Sequence, residues 1–189
     1  MSAEVILQAN NITKCFGRDA SEVRAVDDVS LKIRRGEMVL IMGPSGSGKT
    51  TLLSILGALL SPTAGAVIVC GTDISAMKES ELATLRAQKV GFVFQAFNLF
   101  EALTVKENIL FPASLTAQGI KGATARLDAL LDKLGLNERQ NALPSTLSGG
   151  EKQRVDIGRA SKCGQNQYRY EREFHAVTMT AMRWQALLR

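Results

Sequence analysis

The sequence predicts an α/β fold built around a phosphate-binding loop, and two short motifs carry this prediction. Residues 43–50 read G-P-S-G-S-G-K-T, which fits the loop pattern G-x-x-x-x-G-K-[ST]. Residues 147–151 read L-S-G-G-E and have the S-x-x-E form of a capped helix start. Together the two motifs indicate a protein that holds a polyanion such as a nucleotide.

The chain before the loop is predicted to form strands. Residues 5–7, 23–26 and 29–33 are rich in valine, isoleucine and leucine, and the third run alternates apolar with polar residues, as a half-buried strand does. Residues 37–42 read E-M-V-L-I-M and are predicted to be a short buried strand. The chain is therefore expected to enter the phosphate-binding loop from a strand.

The loop itself carries the residue types that phosphate binding requires. Its glycines allow a tight turn whose backbone N–H groups point at phosphate oxygens. Lys49 is expected to reach the β- and γ-phosphates, and the Thr50 hydroxyl to hold Mg²⁺. A helix follows, and its N-terminal dipole favours negative charge. The residues predicted to contact the nucleotide here are Gly43, Ser45, Gly46, Gly48, Lys49, Thr50 and Thr51.

Helices and strands alternate after the loop. Residues 51–57 have helical spacing of apolar side chains, and this helix is expected to end near Pro62. Residues 67–69 and 90–94 are predicted to be buried strands, with a helix over 78–88 between them.

Residues 104–143 are predicted to be helical, and Pro144 breaks the chain just before the second motif. Within this region residues 123–134 place a leucine stripe on one helix face. We interpret the stripe as core packing rather than as a cofactor site. Its members are Leu127, Leu130, Leu131 and Leu134.

The second motif, taken with the loop, resembles the signature segment of the nucleotide-binding subunit of ABC transporters. Residues 147–155 read L-S-G-G-E-K-Q-R-V, and the resemblance covers residues 1–160. It implies that Ser148, Gly149 and Gly150 of one subunit contact the γ-phosphate held by the loop of a second subunit. The expected state with ATP bound is therefore a homodimer.

The resemblance also implies two further nucleotide contacts and a fold. Phe16 matches the aromatic residue that stacks on adenine, a place where the family usually has tyrosine. Gln95 matches the glutamine that touches Mg²⁺ or the attacking water and senses the membrane partner. The implied fold is a P-loop NTPase core with an antiparallel β subdomain and an α-helical subdomain at about residues 96–147, incomplete at its C-terminal end.

Several short segments around these motifs are similar to segments of ATPases of the lipoprotein-release and macrolide-efflux type. They include G-E-M-V before the loop and F-Q-A-F-N-L-F over residues 94–100. This similarity implies transmembrane permease subunits as partners and export of a lipidated or amphiphilic substrate. The expected location is the cytoplasm, peripheral on the inner face of the cell membrane.

Composition limits the other possibilities. Residues 1–160 carry 18 basic and 16 acidic side chains, whereas residues 161–189 carry 5 and 2. The nearly balanced body gives no reason to expect nucleic acid binding. We find no secretory signal and no apolar run long enough to span a membrane. The three cysteines, Cys15, Cys70 and Cys163, are widely spaced and are expected to be reduced thiols.

The family pattern stops after residue 160. The family has small apolar residues where Asp156 and Gly158 stand, and later a buried strand that ends in Asp-Glu. At that spacing this chain has Glu171 and Arg172, without an apolar strand before them, and a guanidinium cannot act as a base. We therefore assign no catalytic residue, neither Glu171 nor Glu173. His175 is interpreted as a tail histidine rather than the family's switch histidine.

The expected domains are an ATP-binding domain over 1–160 and an atypical basic tail over 161–189. Because the family pattern is lost abruptly, our hypothesis is a frameshift or truncation soon after Ala160. The expected consequences are an unpaired sheet edge and marginal stability of the fold.

We weigh four candidate functions against the sequence. The first is the ATPase of an ABC exporter, and the second is an ATP-binding remnant that does not hydrolyse ATP. The signature segment argues against a third, a small P-loop kinase or GTPase. The balanced charge argues against a fourth, an ATPase that acts on DNA or ribosomes.

Overall fold

A computed structural model of the chain describes residues 4–17, 19–94, 96–115, 120–161 and 176–178. The chain divides into two compact units, one of residues 1–90 with 168–177 and one of residues 91–167 with 178–189. Within the described residues no helix is long and apolar enough to cross a membrane.

The first unit contains a four-stranded antiparallel sheet. Its strands are β1 (Val5–Phe16), β2 (Val23–Arg34), β3 (Ala64–Val69) and β4 (Thr72–Asp73), in the spatial order β2-β1-β3-β4. A 3₁₀ turn over Asp19–Ser21 lies between β1 and β2. The strands predicted over 5–7, 23–26, 29–33 and 67–69 are confirmed. The two middle runs are parts of one continuous strand, β2.

Apolar residues on one face of this sheet form the core of the first unit. Ala9 and Ile12 from β1 and Val67 from β3 are at most 1% exposed. Two helices, α1 (Lys49–Leu56) and α2 (Glu79–Lys89), add their own buried residues to the same cluster. The helical predictions for both segments are therefore confirmed. The buried residues that the helices contribute are Leu52, Ile55, Leu56, Leu82 and Leu85.

The predicted buried strand over residues 37–42 is wrong. The structure has no strand there, and the side chains of Met38, Leu40 and Met42 are 93%, 76% and 80% exposed. An extended run becomes a strand only when another strand supplies partners for its N–H and C=O groups. In the described part of the chain no strand is paired with this run. The result, among the described residues, is an exposed apolar segment.

The second unit is mainly helical over its described residues. Strand β5 (Gly91–Val93) is followed by α3 (Val105–Ser114), α4 (Lys121–Leu134) and α5 (Gly149–Ala160). Short 3₁₀ turns lie at Asn137–Arg139 and Pro144–Thr146. A last strand, β6 (Ala176–Thr178), has its first two residues in the first unit and Thr178 in the second. The strand predicted near residues 90–94 and the helices predicted within 104–143 are confirmed, and the break at Pro144 is a 3₁₀ turn.

The leucine stripe of α4 packs in the core of this unit, as predicted. Leu127, Leu130 and Leu131 are at most 5% exposed and lie in a cluster with residues of α3 and α5. A Cβ added to Gly158 would lie 2.8 Å from a methyl carbon of Leu134. The absence of a side chain at this position on α5 therefore allows α4 to approach closely.

Replacing Met38 and Leu40 together by serine is expected to change the free energy of unfolding by no more than about 0.5 kcal/mol, because both side chains are exposed. The same variant is expected to aggregate less on heating, since it loses apolar surface. Leu131→Ala is the matched control and is expected to cost about 2–5 kcal/mol. Thermal denaturation with light scattering measures both. A loss from the double variant as large as that from Leu131→Ala would show that the run is buried.

Candidate functional site

The phosphate-binding loop leads directly into α1. Gly46 and Gly48 have φ values of +81° and +79°, which residues other than glycine rarely adopt. Gly48 is also the N-cap of α1, and no side chain caps this helix start. The first N–H groups of α1 therefore have no capping side chain, and such groups bind anions.

Close packing fixes one side of this loop and leaves the other side open. A Cβ added to Gly48 would lie 1.9 Å from the carbonyl oxygen of Ala25 in β2, whereas one added to Gly46 would meet nothing within 4 Å. Gly48 therefore holds the loop against the sheet. Open space beside the backbone of Gly46 fits the entry of a phosphate group.

Lys49 closes the loop from its C-terminal side. Its Nζ donates hydrogen bonds to the carbonyl oxygens of Gly43 and Pro44, at 2.9 and 2.6 Å. The ammonium group thus lies against the loop backbone, where a phosphate oxygen would replace these carbonyls as its partner. Thr50 follows in the first turn of α1 and is exposed.

Phe16 lies at the end of β1, opposite Val23 of β2 in the strand register. Its side chain is 43% exposed. The Lys14 ammonium lies over the ring, 5.3 Å from its centroid. The first unit therefore carries both the predicted stacking residue and the predicted phosphate-binding loop.

The signature segment begins α5, and its predicted capping box is present. Ser148 is the N-cap, its Oγ accepts a hydrogen bond from the N–H of Glu151, and the Glu151 carboxylate accepts one from the N–H of Ser148. Gly149 and Gly150 are exposed. Hydrogen bonds from Ser148 hold the pKa of Glu151 below its ordinary value, with a smaller contribution from Arg139. The start of α5 is thus a fixed turn with accessible glycines.

Two side chains near the end of α5 hold the segment that flanks Gln95. Asp156 is fully buried and accepts a hydrogen bond of 2.8 Å from the backbone N–H of Phe94. Arg159 pairs with Asp156 and donates to the carbonyl oxygens of Phe97 and Asn98. We call these two side chains and their backbone partners the Asp156–Arg159 clamp. Gln95 itself lies outside the described residues.

The clamp was not predicted from the sequence, which singled out Asp156 only as a departure from the family pattern. Phe97 and Asn98 have φ values of +60° and +46°, an arrangement that costs about 1 kcal/mol per residue. Their carbonyl groups accept hydrogen bonds from Arg159, and these bonds offset that cost. One sequence signal for the ion pair was available. Asp156 and Arg159 are three residues apart on a helix, a spacing at which opposite charges can pair.

Burial raises the pKa of Asp156, and the attraction of Arg159 and the hydrogen bond from Phe94 oppose that rise. The buried carboxylate is paired, which limits the penalty of burying its charge.

Glu171, Glu173, His175 and Cys163 lie outside the described residues, whereas Cys15 and Cys70 are free thiols. Within the described residues no group of three or more His, Cys, Asp or Glu side chains is arranged to hold a metal ion.

Gly48→Ala is expected to destabilise the protein by about 1–3 kcal/mol more than Gly46→Ala, because only the first methyl group meets a backbone carbonyl. The two glycines have almost the same φ, so both variants carry the same backbone strain and their difference reports the clash. Urea unfolding of the two variants measures the difference. Equal losses would contradict the close packing of Gly48 on Ala25.

The pKa of Glu151 is expected to lie below its ordinary value of 4.5, and the pKa of Asp156 above its ordinary value of 3.8. Carbon-detected NMR measures both midpoints, with Glu151→Gln and Asp156→Asn to assign the signals. The lowered pKa of Glu151 stabilises the fold above its unfolded-state value, and this contribution disappears as the pH falls through the folded-state value. At Asp156 the folded state holds the proton more tightly, so stability from this group falls as the pH rises. A midpoint for Glu151 above 4.5, or a midpoint for Asp156 below 3.8, would contradict this assignment.

Comparison with known proteins agrees with the motifs. Residues 26–167 match the family model described as ABC transporter. The lipoprotein-releasing system ATP-binding protein LolD of Buchnera aphidicola is 42% identical over 160 residues, which are 85% of this chain and 70% of that protein. The macrolide export ATP-binding/permease protein MacB of Neisseria gonorrhoeae is 42% identical over 155 residues, 82% of this chain and 24% of that protein.

The chain is also similar to an importer subunit and to a solved cassette structure. The methionine import ATP-binding protein MetN of Bifidobacterium longum is 46% identical over 161 residues, 84% of this chain and 40% of that protein. A dimeric, post-hydrolysis structure of the ATP-binding cassette MJ0796 with ADP and phosphate has a TM-score of 0.75 and 38% identity, covering 83% of this chain and 69% of that one. The predicted fold class and the predicted resemblance are both confirmed. The chain belongs to the ABC transporter family and has the fold of its ATP-binding cassettes.

Proposed function

We propose that this chain binds Mg-ATP as the nucleotide-binding subunit of an ABC transporter. The observation that carries the proposal is the loop at the start of α1. There Gly46 leaves open space beside the backbone, the helix start has no capping side chain, and the Lys49 ammonium is held at the loop. These are the donors and the charge that a triphosphate requires.

The other predicted contacts complete the nucleotide site. The exposed ring of Phe16 offers a surface for stacking of the adenine base. Thr50 and Gln95 are the proposed ligands of Mg²⁺, which when bound neutralises charge on the β- and γ-phosphates. The exposed Thr50 hydroxyl fits this role.

We propose that two copies of the chain enclose ATP between them. Ser148, Gly149 and Gly150 of one copy would donate to the γ-phosphate held at Lys49 of the other. The capped and exposed start of α5 supports this role, since its glycines allow close approach of a phosphate. The dimeric cassette MJ0796, at 38% identity, supports the homodimer.

We propose transmembrane permease subunits as partners and export of a lipidated or amphiphilic substrate as the task. The names of LolD, a lipoprotein-releasing protein, and MacB, a macrolide exporter, support this choice. MetN, a methionine importer, has a similar identity, so cargo and direction depend on the membrane partner. The proposed location is the cytoplasmic face of the membrane.

A second candidate function is ATP binding without hydrolysis. Residues 168–173 read Y-R-Y-E-R-E and place Arg172 where the resemblance requires a glutamate to activate water. The exposed run over residues 37–42 supports the same candidate, because no neighbouring strand covers it within the described residues. The proposed domains, 1–160 for ATP binding and 161–189 as a basic tail, follow from this change of pattern.

The full chain is expected to bind Mg-ATP weakly and to turn it over at a rate close to background. Lys49→Ala removes the charge at the phosphates and is expected to weaken binding at least tenfold, which corresponds to about 1.4 kcal/mol. Lys32→Ala, an exposed lysine of β2, is the control and is expected to change nothing. Isothermal titration calorimetry with a phosphate-release assay measures both quantities. Lack of ATP binding would contradict both candidate functions, and hydrolysis that Lys49→Ala abolishes would contradict the second.

A further inference from the structure

Lys14 occupies an unusual position beside Phe16. Both residues belong to β1, where they are two positions apart. The half-buried Lys14 side chain places its Nζ 5.3 Å from the centroid of the Phe16 ring. The ammonium therefore interacts with the ring face through its negative quadrupole.

A second contact holds the ammonium in this position. Lys14 Nζ donates a hydrogen bond of 2.9 Å to the carbonyl oxygen of Ser61. The segment that carries Ser61 is itself bonded to β1, because the N–H of Thr63 donates to the carbonyl of Thr13 and the N–H of Cys15 donates to Thr63 Oγ1. The charge of Lys14 is thus fixed by its strand and by the loop after α1.

We propose that Lys14 is a positioning residue for the nucleotide base, acting through Phe16. Its ammonium covers one face of the ring, so that the base stacks on the opposite face. This inference rests on the proposed function, in which Phe16 stacks on adenine.

Two physical effects make the arrangement favourable for stacking. A ring held on one face by an anchored cation loses little further freedom when a base contacts the other face. The cation also draws electron density from the ring, which reduces repulsion between the π electrons of the ring and of the base. Because the Ser61 carbonyl holds the Lys14 ammonium, Lys14 is expected to contribute to binding of the base and not of the phosphates.

The test compares a ligand with a base and one without. Dissociation constants of the full chain for Mg-ATP and for Mg-tripolyphosphate are measured by calorimetry. Lys14→Met keeps an unbranched side chain, shorter by the terminal nitrogen, and removes its charge. It is expected to raise the Kd for ATP about 2- to 5-fold, the equivalent of about 0.5–1 kcal/mol, and to leave the Kd for tripolyphosphate unchanged. Lys14→Arg keeps a cation over the ring and is expected to restore ATP binding.

Epistasis with Phe16 separates positioning from a general structural effect. In the Phe16→Leu background, Lys14→Met is expected to leave the Kd for ATP unchanged. Lys32→Met removes one exposed lysine from β2 and is the matched control, with no change expected for either ligand.

If the unmodified chain binds ATP and this binding depends on Lys49, the proposed function holds. In that case three outcomes would still overturn the inference about Lys14. They are an unchanged Kd for ATP in Lys14→Met, an equal loss for tripolyphosphate, and an equal loss in the Phe16→Leu background. Failure of the unmodified chain to bind ATP would instead reject the proposed function and this inference with it.

Discussion

Hydrogen bonding on both sides of β1 is the constraint on which the first unit depends. This strand pairs with β2 along one edge and with β3 along the other, so its position is set by two neighbours. One end of the ladder carries Phe16 and Lys14, and β2 presents the Ala25 carbonyl against which Gly48 packs. The Phe16 ring and the glycine-rich loop over residues 43–50, for which we propose nucleotide contacts, therefore share one support, and a sheet is a stiffer support than a loop.

The second unit depends on polar groups that are buried and fully paired. Asn108, with no exposed surface, bonds to backbone groups of Phe100, Leu103 and Thr104. The Asp156–Arg159 clamp binds backbone groups of Phe94, Phe97 and Asn98, which lie far earlier in the chain. An unpaired polar group in such a position would cost more than an apolar one. The loop that flanks Gln95 is thus held by side chains of α3 and α5.

Sequence reasoning identified most of the helices and strands, because strand alternation and helical spacing repeat over many residues. It also identified the capping box at Ser148, where the interacting groups are three residues apart. It was wrong for residues 37–42, since apolar composition alone does not supply a neighbouring strand. The clamp and the contact of Lys14 with Ser61 were not predicted, because their partners lie far apart in the chain. The nucleotide roles of the predicted site residues remain proposals.

The sequence by itself determined the features that neighbouring residues decide. These are the glycine-rich turn at Gly46 and Gly48, the lysine that follows it, the capped start of α5 and the family to which the chain belongs. Only the tertiary structure decided which side of the loop packs on Ala25, where the Lys14 ammonium lies and how Asp156 is paired. Backbone torsions and helix caps depend on residues within one turn, whereas these contacts require segments that only folding brings together.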